Sequence, residues 1–368
     1  LHHYAGSLEL SEKLADVDAD AAEHRRQGYR FSEEGSDPAL LFAGIEHHRA
    51  ECLNLLNSGE AKTAAEHLTQ GFGLVASAKE RIERQVQGRA FCKAQVNQRP
   101  QEQQRLQESI SAGQRAISEM QTHFSDGAWS DVRDNVAMAE RTLLDSNSLL
   151  QEAARNGTDD VQLYITASSQ YERIQHLQIE TASLLAAVEQ RWGDLQSLRQ
   201  RTRLELQNAS RTCSQVGQQL TSNTADRPAA NRIFHDGELV LKRAGELALA
   251  TKVDWQDVLN QVNHASREFE TAMTMAQEDV RLATQASREI ASAEREVRSA
   301  ASFYRHGFQA DTSQAASEIA QAQAALGPQD YERAIRMANQ AAASAREALR
   351  EAENRARDKQ RSIERRQR

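Results

Sequence analysis

The placement of three tryptophans constrains this chain more than any other feature. Trp129, Trp192 and Trp255 are separated by the same interval of 63 residues in both gaps. Each opens the same short motif: Trp129-Ser-Asp131-Val132, Trp192-Gly-Asp194-Leu195 and Trp255-Gln-Asp257-Val258. A W-x-D-[V/L] motif at two equal spacings marks a chain built by repetition. Such a chain buries apolar surface by packing units on one another rather than around a single centre.

A helical stripe follows each tryptophan. Positions +3, +7, +10, +14, +17 and +21 are Val132, Val136, Ala139, Leu143, Ser146 and Leu150 in the first unit. In the third they are Val258, Val262, Ala265, Phe269, Ala272 and Ala276, and in a poorer middle unit Leu195, Arg199, Thr202, Leu206, Ala209 and Cys213. Two further segments fit the frame without tryptophan. Ala61 leads Ala64, Leu68, Gly71, Val75, Ala78 and Ile82, and Tyr331 leads Ala334, Ala338, Ala341, Ala345, Ala348 and Ala352. This 3-4 alternation puts one narrow apolar seam on a helix, as in coiled coils. Trp129, Trp192, Trp255 and Tyr331 are therefore read as structural repeat positions.

Composition agrees. A chain of 368 residues with 4 Pro, 17 Gly and 5% aromatics lacks the turns and β-rich segments of a sandwich or barrel. The prolines punctuate the pattern. Pro38 is expected to open a helix through Leu56, Pro100 one through Phe124, and Pro228 one from Ile233 to Leu249, while Gly327-Pro328 closes Ser313–Leu326. The expected fold is all-α: an elongated tandem array of helical hairpins with coiled-coil-like heptad packing. Each hairpin pairs a helix of about 20 residues with one of about 25–35, at 1.5 Å of rise per residue. The expected divisions are an N-terminal helix with an acidic linker (1–37) and hairpins over 38–99, 100–157, 158–227, 228–308 and 309–368. The third is read as either a hairpin or one long helix.

Bulk charge narrows the partners. A net charge of −8 argues against a nucleic-acid partner for the chain as a whole. The longest apolar run, Leu184-Leu185-Ala186-Ala187-Val188, falls far short of the ~18 residues of a membrane span. Cys52, Cys92 and Cys213 have no metal-type spacing and read as small buried hydrophobes in a reducing, cytoplasmic compartment. The chain begins at Leu1 rather than Met, so it reads as processed or as a segment of a longer protein, with room for a membrane anchor outside these residues.

Chemistry-bearing motifs are sparse. His47, His48 and Glu51 on one expected helix and His67 on the next form the best metal candidate, but the chain has neither Glu-x-x-His nor His-Glu-x-x-His. They are read as surface histidines, and no metal, cofactor or small-molecule substrate is expected. Gly71-Phe72-Gly73 is not a phosphate loop and reads as close helix packing. At the C-terminus, Arg355, Arg357, Lys359, Arg361, Arg365, Arg366 and Arg368 face only Asp358 and Glu364, whereas the first forty residues carry nine acids against four bases. The basic end offers contacts to an anionic partner, and also suits any solvated helix C-terminus.

Tyr331-Glu-Arg-Ala334-Ile-Arg-Met-Ala338-Asn-Gln-Ala341, continuing through Ala345-Arg-Glu-Ala348 into the arginine-rich end, is similar to the coiled-coil segments of bacterial TPM-domain membrane proteins. More broadly, the tandem pattern resembles bacterial spectrin-like repeats of the septation-ring-regulator type. The resemblance implies a membrane-tethered cytoplasmic rod that acts through protein contacts, and it carries over no catalytic residue. The expected function is thus a non-enzymatic scaffold that binds protein partners or itself. The alternative is a regulatory module that docks on anionic membrane or nucleic acid through its basic C-terminal helix.

Overall fold

The structure, a computed structural model, describes residues 2–222 and 228–367. The end of the expected 158–227 segment and Arg368 lie outside them. Among the described residues the chain forms nine α-helices: α1 (His2–Arg26), α2 (Ala39–Ser58), α3 (Ala61–His123), α4 (Asn135–Asn156), α5 (Tyr164–Ser222), α6 (Pro228–Ala248), α7 (Trp255–Ala301), α8 (Ser313–Leu326) and α9 (Tyr331–Gln367). A 3-10 helix, Asp126–Val132, precedes α4, and a two-stranded hairpin, β1 (Tyr304–Arg305) and β2 (Phe308–Gln309), lies between α7 and α8. Among the described residues the fold is all-α apart from that hairpin. No described helix is long and apolar enough to cross a membrane.

Local chemistry explains the helix ends. The Asp37 carboxylate accepts from Ala39 N at 2.9 Å where α2 begins. At its end Gly59 takes φ +86°, with Gly59 N bonded to Leu56 O and Glu60 N to Leu55 O, the paired bonds of a glycine C-cap. Asp254 caps α7 by accepting from Gln256 N and Asp257 N, both at 3.1 Å.

The chain divides into two compact units, Leu1–Asp194 and Leu195–Arg368. In the first, α1 and α2 pack on the N-terminal part of α3, and Ala64, Leu68, Gly71, Val75, Ala78 and Ile82 are all buried. A Cβ on Gly71 would stand 2.6 Å from Leu10 Cδ2, so close approach of α1 requires the missing side chain. In the second unit α7 packs against α6, α8 and α9. Val258, Val262, Ala265, Phe269, Ala272 and Ala276 are buried, as are Ala334, Ala338, Ala341, Ala345 and Ala352 of α9.

Two expectations are corrected. Pro100 does not open a helix, because α3 runs through it for 63 residues. Proline removes one ladder donor at a cost of ~3 kcal/mol, and packing on either side offsets that loss. Ile82 and Cys92 before it and Leu106 and Ile110 after it are buried, while Gln178 Nε2 on α5 donates to Arg99 O at 3.0 Å beside the proline. The long helices also exceed the expected 25–35 residues: α3 has 63, α5 has 59 and α7 has 47. Of the two readings of the third segment, α5 is the single long helix. Glu189-Gln190-Arg191 before Trp192 contains no turn former, unlike Ser125-Asp126-Gly127 before Trp129.

Candidate functional site

The tryptophans of the repeat occupy two kinds of site. Trp129 in the 3-10 helix and Trp255 at the start of α7 are 4% and 3% exposed. The indole N–H of each is buried without a hydrogen-bond partner. Arg133 lies over the Trp129 ring at 5.3 Å, and Arg203 and Arg199 lie over the Trp255 ring at 5.4 and 5.8 Å. Trp192 sits within α5, half-buried and edge-on to Phe124 at 6.0 Å. Tyr331 is buried at the first turn of α9.

Trp192 closes one end of an open groove of about 650 Å³ between α3 and α5 in the first unit. Leu106, Gly113 and Leu185 line its floor and Ala112, Ala116, Ala182 and Ala186 its walls, with Glu102, Arg105, Glu119 and Glu189 at the rim. Alanine and glycine keep the helix surfaces low, so another helix backbone can approach closely.

The densest polar constellation was not legible as a motif. Asp159, in the α4–α5 connection, accepts from Arg89 Nε at 2.8 Å and from Tyr164 OH at 2.7 Å. Lys93 Nζ lies 3.6 Å from the same carboxylate, and the Arg89 guanidinium lies 5.0 Å from the Tyr29 ring centre. The Arg89 and Tyr164 hydrogen bonds hold the Asp159 carboxyl well below the usual carboxylate range. Burial, then the Asp159 bond, pushes the Tyr164 hydroxyl above its ordinary value. A tyrosine so held gives up its proton reluctantly, and the carboxylate is already occupied.

The α1–α2 connection completes this clasp. The Glu33 carboxylate accepts from Ile165 N at 3.0 Å and Thr166 N at 2.7 Å, and so caps α5 from 132 residues earlier in the chain. Gln162, buried with φ +60°, accepts from Arg30 N at 2.8 Å and donates to Gly28 O and Asp159 O at 2.8 and 2.7 Å. The acidic linker is therefore consumed in part as caps and clasps: Glu33 on α5, and Asp37 on α2 and Arg25.

A second polar layer lies beside Pro100. Arg99, 9% exposed, donates to Gln95 Oε1 at 2.6 Å, Gln175 Oε1 at 3.0 Å and Gln178 Oε1 at 3.3 Å. Gln103 joins α4 by donating to Leu143 O at 2.8 Å and accepting from Ser146 Oγ at 3.2 Å. Polar groups buried at matched heights fix the axial register of α3, α4 and α5, because sliding one helix would leave them unpaired.

Of the metal candidates, His48 and His67 meet across α2 and α3 with Nδ1 atoms 3.0 Å apart, while the ring centres of His47 and His48 are 5.6 Å apart. Burial, then His67 and His47, lowers the His48 pKa. Among the described residues no group of three or more metal-type side chains is positioned to hold an ion. Cys52 and Cys92 are buried and Cys213 is half-buried, and burial pushes all three thiols up.

The basic residues of α9 are exposed. Arg355 pairs with Glu351, Arg357 with Glu353 and Arg361 with Asp358, all within the helix. Lys359 donates to His306 O at 3.2 Å, and Arg365 and Arg366 occupy the last described turns. Comparison with protein-family models, curated proteins and solved structures finds no match to this chain. The fold and these surfaces define the class as an all-α helical protein.

Proposed function

We propose that this chain is a non-enzymatic structural and scaffolding protein, an extended array of helical hairpins with coiled-coil-like seams that mediates protein–protein interaction. The observation that carries the reading is helix length. At 63 residues α3 rises about 95 Å, roughly three times the diameter of a small domain. Its buried positions form a narrow seam, so the sequence provides reach rather than an enclosed reaction chamber. The groups with the most perturbed protonation, Arg89, Asp159 and Tyr164, are used to hold connections together. The resemblance of the tandem pattern to bacterial spectrin-like repeats agrees with this reading, and a reducing cytoplasmic setting suits the three free thiols.

In this reading the α3–α5 groove receives a helix from a protein partner or a second copy, through close packing on its alanine walls. Ala112 and Ala186 are exposed, so Ala112→Glu and Ala186→Glu place charge in the groove without touching the core. Light scattering of the purified chain and stoichiometric capture from its host's extract test the idea. Self-association or a captured protein should be lost in both variants while circular dichroism stays native. A native chain that neither self-associates nor retains a stoichiometric partner, or retention unchanged by both variants, refutes the proposal.

A further inference from the structure

One end of the second unit combines features that a solvated helix end does not require. The connection after α7 turns back at His306-Gly307, where φ values of +54° and +82° suit a tight two-residue hairpin turn. Tyr304 pairs with Gln309 and Arg305 with Phe308. This hairpin is fastened to the basic helix. Lys359 Nζ donates to His306 O at 3.2 Å and lies 5.4 Å from the Phe308 ring centre. Gln360 Oε1 accepts from Arg305 Nη2 at 3.3 Å and bonds His306 Nε2 at 3.1 Å, and Gln309 Nε2 donates to Ala301 O at 3.3 Å.

That anchorage presents Tyr304 to solvent at 74% exposure, the most exposed aromatic side chain among the described residues. Beyond Gln360, residues 361–366 of α9 are exposed and extend about 9 Å past the hairpin contact. They carry Arg361, Arg365 and Arg366 against one acid, Glu364, with Ile363 among them at 40% exposure. Arg305 adds its charge from the hairpin. The intrahelical pairs of Arg355, Arg357 and Arg361 are solvent-exposed and weak, so they leave these cations available to a denser field of negative charge.

We propose that the Tyr304 hairpin and the C-terminal turns of α9 form one docking patch for a membrane surface rich in anionic phospholipid. This goes beyond the scaffold reading and does not depend on the α3–α5 groove. Charge complementarity supplies attraction, since each lysine or arginine held near an anionic leaflet contributes about a fivefold factor in partition. The apolar members select a bilayer over a duplex. A tyrosine ring rests at headgroup depth with its hydroxyl in water, and an exposed isoleucine gains from the acyl boundary but from no phosphate backbone.

Co-sedimentation of the full chain with vesicles tests the patch. The native chain should partition onto phosphatidylcholine–phosphatidylserine vesicles, mixed seven parts to three, and not onto phosphatidylcholine alone, with binding lost as salt rises. Arg365→Gln with Arg366→Gln should lower partition roughly 25-fold. Tyr304→Ala should lower it several-fold at unchanged charge and unchanged circular dichroism, and Tyr304→Trp should retain it. Failure to bind anionic vesicles overturns the proposal, and so does full binding by Tyr304→Ala. Tighter binding to a single-stranded oligonucleotide, weakened by Tyr304→Ala, would assign the patch to nucleic acid and overturn it as well.

Discussion

Replacing Trp255 with alanine should destabilise the second unit by about 4 kcal/mol. A buried aromatic side chain removes about 150–250 Å² from water. At about 25 cal/mol per Å² that is roughly 4–6 kcal/mol, an upper bound because unfolded chains are not fully extended. Large-to-small aromatic substitutions in cores cost about 3–5 kcal/mol, and 3% exposure places Trp255 in that group. Arg199 and Arg203 over the ring add about 0.5–1 kcal/mol each at their partly exposed positions. Trp255→Phe should cost only about 1–2 kcal/mol, because the indole N–H has no acceptor to lose and most ring contacts survive. Trp192→Ala should cost about as little, since that ring is half-buried on α5. Urea unfolding followed by far-UV circular dichroism, fitted with one transition per unit, measures all three. A Trp255→Ala cost below about 1 kcal/mol, or one no larger than that of Trp192→Ala, would refute the assignment of Trp255 as a core corner.

Other perturbations have signs set by local geometry. A Cβ on Gly88 would meet Tyr164 Cβ at 3.1 Å and Tyr164 O at 3.2 Å, so Gly88→Ala should cost about 1–3 kcal/mol. Gly73 faces open space, and Gly73→Ala should add about 0.5–1 kcal/mol; thermal melts separate the two. Pro100→Ala restores a ladder donor inside α3 and should stabilise the first unit by about 1–3 kcal/mol in the same melts. Asp159 is held charged by its partners, so its stabilising contribution is complete above the ordinary carboxylate pKa of about 3.9 and is lost as pH falls toward its lower folded value. Asp159→Asn should therefore lower the melting temperature at neutral pH, with the gap to native closing in acid; a pH-independent gap would contradict the clasp.

What was legible in the sequence was whatever local spacing controls. The stripe positions from Ala64 to Ile82 and from Val258 to Ala276 are buried, and the turns at Asp37-Pro38, Asp254 and Gly327-Pro328 stand where capping chemistry puts them. Pro100 misled because its local meaning, a helix start, is overridden by packing from α5 that no local pattern records. The clasp escaped for the same reason. Arg89 meets Asp159 across 70 residues and Glu33 meets Thr166 across 133, and neither pair leaves a motif. The Tyr304 hairpin did carry a signal, a His-Gly pair between aromatic residues, but two-residue strands are too short for alternation to register.

The long, uninterrupted α3 is the element on which the scaffold account rests. Paired spin labels at Lys79 and Arg115, both exposed, placed in a chain with its native cysteines replaced, measure it by electron–electron dipolar distance. A continuous helix separates those positions by about 54 Å along its axis. A turn at Pro100 folding the two segments into a hairpin would bring them within about 20 Å, allowing for the 8–10 Å between packed helices. A distribution centred near 50–55 Å is the predicted result, and one centred below about 25 Å would contradict the account.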